Sequence, residues 1–134
     1  MKIKSIARKS PKDKSVKYYV SPIKQGILNT DIIAEEIAGR CSLTSGDILN
    51  VFRNLKEVLP MYLAEGYHVK LDDIGTFHVT LGSKGSETED KCTADAIRSI
   101  VIRNTCDRSL RQKVHQIIRF EKQKEKEADG NLAG

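Results

Sequence analysis

The apolar residues of this chain follow two periods, and each period marks its own elements. Between Asn29 and Arg40, Ile33, Ala34, Ile37 and Ala38 recur at helical spacing, while Glu35, Glu36 and Arg40 fall outside that stripe. Asn29 or Thr30 suits the N-cap of this first helix. Leu43 is expected to pack in the turn that follows, and Cys41 reads as a small buried residue near the helix end. A second helix begins at Thr44, with Asp47 at capping-box spacing. Its stripe of Ile48, Val51, Phe52, Leu55, Val58, Leu59, Tyr62 and Leu63 is wider than one small domain needs. Such a face suits burial on two sides, as in a dimer. Pro60 should kink this helix near its end, and Gly66 should stop it.

The period then drops to two. Val69 and Leu71, and after them Phe77, Val79 and Leu81, alternate with polar residues as a half-buried hairpin does. Asp72-Asp73-Ile74-Gly75 makes the turn, with Gly75 free to take a positive φ. The polar stretch 82–91 has no apolar anchor and reads as a flexible connection. The β-branched run from Ala96 to Arg103 reads as a strand. Asp107 caps a last helix ending near Ile118, with Leu110, Val114, Ile117 and Ile118 on one face. At the other end of the chain, Lys2 to Ala7 and Val16 to Ser21 read as two short strands around a charged turn that contains Pro11. The charge-balanced 121–127 and the end at 129–134 read as tail, with the end disordered.

Charge changes this picture through its placement. The 134 residues carry a net +5, a mild bias toward polyanions. Residues 1–24 hold eight basic residues against Asp13 alone, a net +7, and the rest holds 15 basic and 17 acidic, a net −2. All of the net positive charge therefore precedes the helices. Cys41, Cys92 and Cys106 are odd in number and lack metal or disulfide spacing, and His68, His78 and His115 are scattered. The expected cofactor is none. The sequence offers no nucleophile–base pair, metal cluster or Gly-rich phosphate loop, so an enzyme is not expected. Met1 to Val20 lacks the apolar core of a signal peptide, and no apolar run is long enough to span a membrane. A reducing cytoplasm is the expected location, with neither a membrane nor a small-molecule substrate as partner.

A helix stopping at Gly66, followed by Val69, Leu71 and the Gly75-Thr76-Phe77-Val79 hairpin, resembles the HU and integration-host-factor family of bacterial DNA-bending proteins. The resemblance covers roughly residues 30–114. The strands ahead of the first helix are additional, and the Lys17-Tyr18-Tyr19 and Phe120-Glu121-Lys122 segments are similar to those of extended HU-like proteins from Bacteroides-type bacteria. In those relatives the second segment follows the last helix, and here Phe120-Glu121-Lys122 is expected to pair back on the N-terminal strands. The resemblance implies an α+β fold: two N-terminal helices, a three-stranded antiparallel sheet with an arm, a C-terminal helix, and here an extra N-terminal β-hairpin. It implies a basic extension over 1–26, an HU-like domain over 27–122 and a tail over 123–134. It also implies a homodimer, for which Val51, Phe52, Leu55, Leu59, Phe77 and Val79 are the expected core.

The implied function is sequence-tolerant binding of double-stranded DNA in the nucleoid by phosphate neutralisation, with little base readout. Arg98 and Arg103 alternate as the family's strand cations do, and Arg108 and Arg111 fall where the family contacts phosphate from its last helix. Lys84, Lys2, Lys4, Arg8 and Lys9 complete the candidate contacts, although each of these cations also suits a plain solvated surface. The chain departs from the family at the arm. Thr80 and Gly82 replace arginines, the Arg-Asn-Pro tip that wedges between base steps has no match, and Glu87, Glu89, Asp90 and Asp95 make the region acidic. Asn104-Thr105-Cys106-Asp107 replaces an aromatic-basic-Pro-Gly run. Proline intercalation is therefore not expected. The alternative is an HU-fold dimer kept as a protein-interaction or structural module.

Overall fold

Side-chain caps fix both helices of the helical base. In the computed structural model, which describes residues 1–123, the Asn29 side chain accepts from the Ile32 amide and opens α1 (Thr30–Ala38). Thr44 and Asp47 form a reciprocal capping box that opens α2 (Ser45–Ala64). The helix runs on through Pro60 to Ala64 and then stops in a Schellman arrangement: the Gly66 amide donates to the Leu63 carbonyl and the Tyr67 amide to that of Tyr62. Gly66 takes φ 90°, which the motif requires, and the Tyr62 and Tyr67 rings meet edge to face 5.9 Å apart across it. Cys41 lies beyond α1 and is exposed, not buried, because the helix has already ended at Ala38. Leu43 stays half exposed instead of packing in the turn.

After Gly66 the chain forms β3 (Val69–Leu71), β4 (Gly75–Ser83) and β5 (Ile97–Cys106), an antiparallel sheet in the order β3-β4-β5. The tight turn differs from expectation. Asp73, at φ 64°, takes the left-handed conformation, while Gly75 already belongs to β4. Glycine is needed there for space: a Cβ at Gly75 would sit 2.7 Å from the Thr105 carbonyl oxygen on β5. The stretch 82–91, expected to be a flexible connection, takes regular structure at both ends, Gly82 and Ser83 in β4 and a 3₁₀ turn at Glu89–Lys91. A second 3₁₀ turn, Ala94–Ala96, follows, and the Lys84 amide donates to the Ala96 carbonyl at 2.8 Å to close the arm's end. The last helix, α3 (Arg108–Ile117), follows β5. Asp107 caps it by accepting from the Ser109 amide and hydroxyl.

The N-terminal strands are β1 (Lys2–Lys9) and β2 (Val16–Pro22), an antiparallel hairpin. The short β6 (Glu121–Lys122) adds to β1 in parallel, pairing Lys2 with Glu121 and Ile3 with Lys122, so this sheet runs β2-β1-β6. The described chain thus divides into two compact units, one of 1–27 with 116–123, the other Leu28–His115. The tail expected to be disordered lies, from residue 124 on, outside the described residues.

Among the described residues the only buried apolar side chains are Ala34, Ile48 and Leu63, all in the larger unit. Full burial of an Ile or Leu contributes about 1.5–3 kcal/mol, against about 1–2 kcal/mol of backbone entropy for each ordered residue. Meanwhile Ile32, Ile33, Ile37, Val51, Val58 and Met61 stay exposed on the two helices.

Candidate nucleic-acid interface

Strand alternation gives the β3-β4-β5 sheet two unlike faces. Residues paired across a ladder project to the same side, and successive residues to opposite sides. The pairs Val69–Phe77, Val79–Ile102 and Leu81–Ile100, with Leu71, put the apolar residues on one face. Its inner part, Val69, Leu71, Phe77 and Val79, is half-buried at the α2 end of the sheet. Its outer part is open, with Ile100 71% and Ile102 64% exposed.

The pairs Lys70–Thr76, His78–Arg103 and Thr80–Val101 make the opposite face polar. His68, just ahead of β3, stacks on His78 with ring centres 5.0 Å apart and planes 26° from parallel. Lys70, His78 and Arg103 therefore stand on one face, with His68 against them. The sequence singled out Arg103 alone of these four. Its missing partners become legible only with the hairpin register, since Val69 opposite Phe77 forces Lys70 and His78 to the same side.

Arg98 departs from the expected alternation. It lies an odd number of residues from Arg103, so an unbroken strand would put the two on opposite faces. The ladder is not unbroken: Gly82 pairs with Ser99 and Ser83 with Ile97, leaving Arg98 as the extra residue of a bulge. Gly82 stands at that bulge, where a Cβ would run into the Ser99 hydroxyl.

Lys84 sits at the end of the arm, on the acidic loop that carries Glu87, Glu89, Asp90 and Asp95. Arg108 and Arg111 are exposed on α3. The start of α3 is already occupied by carboxylates: Asp107 takes two hydrogen bonds from Ser109, whose hydroxyl also reaches Asp73 at 3.0 Å. The Ser109 hydroxyl first, then its amide, and the nearby Lys70 charge hold the Asp107 carboxyl below its usual range. The free amide end of this helix is thus met from within the chain by the Asp107 carboxylate.

Of the expected dimer core, Phe52, Leu55, Leu59, Phe77 and Val79 are half-buried and Val51 is 61% exposed. Lys2, Lys4, Arg8 and Lys9 all lie on β1 of the smaller unit. The described residues hold no group of three or more acidic, His or Cys side chains able to bind a metal ion, and no helix among them is long and apolar enough to cross a membrane.

Comparison with known proteins places this arrangement. No curated protein matches the sequence. Several solved structures share the fold, these two among them. One is a Bacteroides vulgatus protein assigned as a bacterial DNA-binding protein, 15% identical with a TM-score of 0.59 over 90% of this chain. The chain spans 47% of that protein's length. The other is Anabaena HU in a cocrystal with DNA, 16% identical with a TM-score of 0.50, covering 65% of this chain and 97% of that one. The family model for an HU domain fused to a winged helix-turn-helix, immunoglobulin or glycine-rich motif matches residues 1–122, and the chain belongs to this HU-HIG family.

Proposed function

We propose that this protein binds double-stranded DNA with little regard to sequence, as a nucleoid-associated architectural protein. The observation that carries the reading is the polar face of the β3-β4-β5 sheet, where Lys70, His78 and Arg103 stand together. Arg98 at the bulge, Lys84, and Arg108 and Arg111 on α3 add phosphate donors on the same unit. A face of cations and Thr hydroxyls suits backbone contact more than base readout. The likeness to an HU solved with DNA supports the same ligand here, and the reading requires no catalytic group or cofactor.

The working form in this proposal is a homodimer. Three buried apolar side chains among the described residues are few for a stable domain, and Val51, Ile100 and Ile102 leave apolar surface that a second copy would cover. Val51, Phe52, Leu55, Leu59, Phe77 and Val79 would form that dimer core, joining two polar sheet faces into one saddle.

The test is a fluorescence-anisotropy titration with a short random-sequence duplex at two salt concentrations, on protein whose mass in solution is measured in parallel. Binding should weaken with salt, log K falling by roughly 0.9 per log unit of salt for each phosphate contact. A folded dimer that fails to bind at low salt would instead favour an interaction module, the reading that the acidic loop around Glu87, Glu89, Asp90 and Asp95 supports.

A further inference from the structure

The smaller unit sorts its cations by the same alternation that divides the larger sheet. On β1, Lys2, Lys4, Ile6 and Arg8 share one face. Their ladder partners on β2 are Ser21 for Lys4, Tyr19 for Ile6 and Lys17 for Arg8, so Lys17 and Tyr19 join that face. The opposite face carries Ile3, Ser5, Ala7, Val16, Tyr18, Val20 and Pro22, with two cations, Lys9 at the end of β1 and Lys122, the partner of Ile3 on β6. Four cations thus occupy one side of a small sheet.

Among the described residues these cations form no salt bridge, the one such pair being Arg40–Glu36. Glu121, opposite Lys2, is the only carboxylate on the ladder, and it leaves Lys4, Arg8 and Lys17 without an acidic cross-strand partner. Asp13, in the turn, has its carboxylate committed to the Ser15 amide and hydroxyl. The Arg8 guanidinium lies over the Tyr19 ring, 5.6 Å from its centre. A cation–π contact of this kind orients the arginine before any ligand arrives. It also engages the one aromatic ring on this face, while the most exposed ring, Tyr18, is on the other side. The face therefore offers several cations against a single ring, Tyr19, which is 47% exposed and already engaged by Arg8, a balance that favours a duplex backbone over a single strand.

We infer that the Lys2, Lys4, Arg8 and Lys17 face of the N-terminal sheet is a second DNA-binding surface, taking the phosphates of duplex DNA apart from the sheet of the larger unit. The inference rests on the proposed function for its ligand and adds to it a site outside the HU-like core.

The experiment compares the full chain with its K4Q/R8Q/K17Q variant, titrating a random-sequence duplex and a single strand of equal length across a salt series. Circular dichroism and size exclusion check that the variant keeps its fold and mass, and the single variants K4Q and K17Q stand in if it does not. The variant should still bind duplex, with its log K against log salt slope shallower by roughly 0.9 for each cation removed. Duplex binding by the full chain with an unchanged slope in the variant overturns this inference and leaves the larger unit's role intact. Loss confined to the single strand overturns the choice of duplex. No duplex binding by the full chain removes both this inference and the function on which it rests.

Discussion

The two three-stranded sheets obey one alternation rule and end in different conditions. In the larger unit, half of the apolar face is covered at the α2 end and the polar face collects Lys70, His78 and Arg103. In the smaller unit the cationic face is as clearly sorted, yet none of its described residues is buried, and Tyr18 and Val20 are 74% and 71% exposed on the apolar side. Alternation decides which residues share a face. Burial depends on whether another element lies over that face. Charge counted along the sequence reports neither, which is why the +7 of residues 1–24 did not say which face its cations share and the near-neutral remainder hid a cationic sheet face in the other unit.

The largest expected effect breaks the covered side of the comparison. Leu63→Ala removes one of the few buried side chains and should cost about 2–5 kcal/mol, read as a drop in melting temperature. Val20→Ala, on the open face, should cost under about 0.5 kcal/mol. An equal loss at Val20 would mean that a partner covers the smaller sheet in solution.

A somewhat smaller effect tests how the larger sheet keeps its register. Gly75→Ala drives a Cβ against the Thr105 carbonyl, a backbone atom that cannot swing away, and should cost about 1–3 kcal/mol. Gly82→Ala meets only the Ser99 hydroxyl, which can rotate, so its melt should stay near that of the unaltered protein. Equal losses at the two positions would show that the bulge is as rigid as the turn.

Next comes the cap of α2. Thr44→Ala should lower stability by about 1 kcal/mol. The hydrogen bond from the Thr44 hydroxyl, then the one from its amide, lowers the Asp47 carboxyl below its usual 3.8, so this interaction stabilises the fold above that pH and is lost as pH falls through the lowered value. The smaller unit holds a matching carboxylate, Asp13, lowered first by the Ser15 hydroxyl. Acid below about pH 4 should therefore weaken both units, and Thr44→Ala should flatten the acid limb measured by the melting of the larger one. An unchanged acid limb in that variant would sink this account.

The smallest effects are on DNA. Lys70→Gln and Arg103→Gln should each make the salt slope shallower by roughly 0.9 with the melt unchanged. A slope unaffected by both would take the polar face of the larger sheet out of the proposed interface.

Local chemistry was legible in the sequence wherever one short stretch closes on itself. Asn29, the Thr44–Asp47 box, the Gly66 stop and the alternation from Val69 to Leu81 each act through neighbours a few residues away, and all are present. The HU likeness was legible for the same reason, because its motif is a run of such local signals. Tertiary structure decided what depends on pairing between distant segments. Glycine was expected at position 75 for its backbone freedom, but a strand some thirty residues later is what requires it there, and Asp73 takes the turn conformation. The bulge leaves Arg98 unpaired in the ladder, the hairpin register brings His68, Lys70 and His78 toward Arg103, and the return of Glu121 to β1 completes the N-terminal sheet. A sequence fixes the period of each strand. Only the register between strands, set by long-range hydrogen bonds and close approach, turns those periods into shared faces.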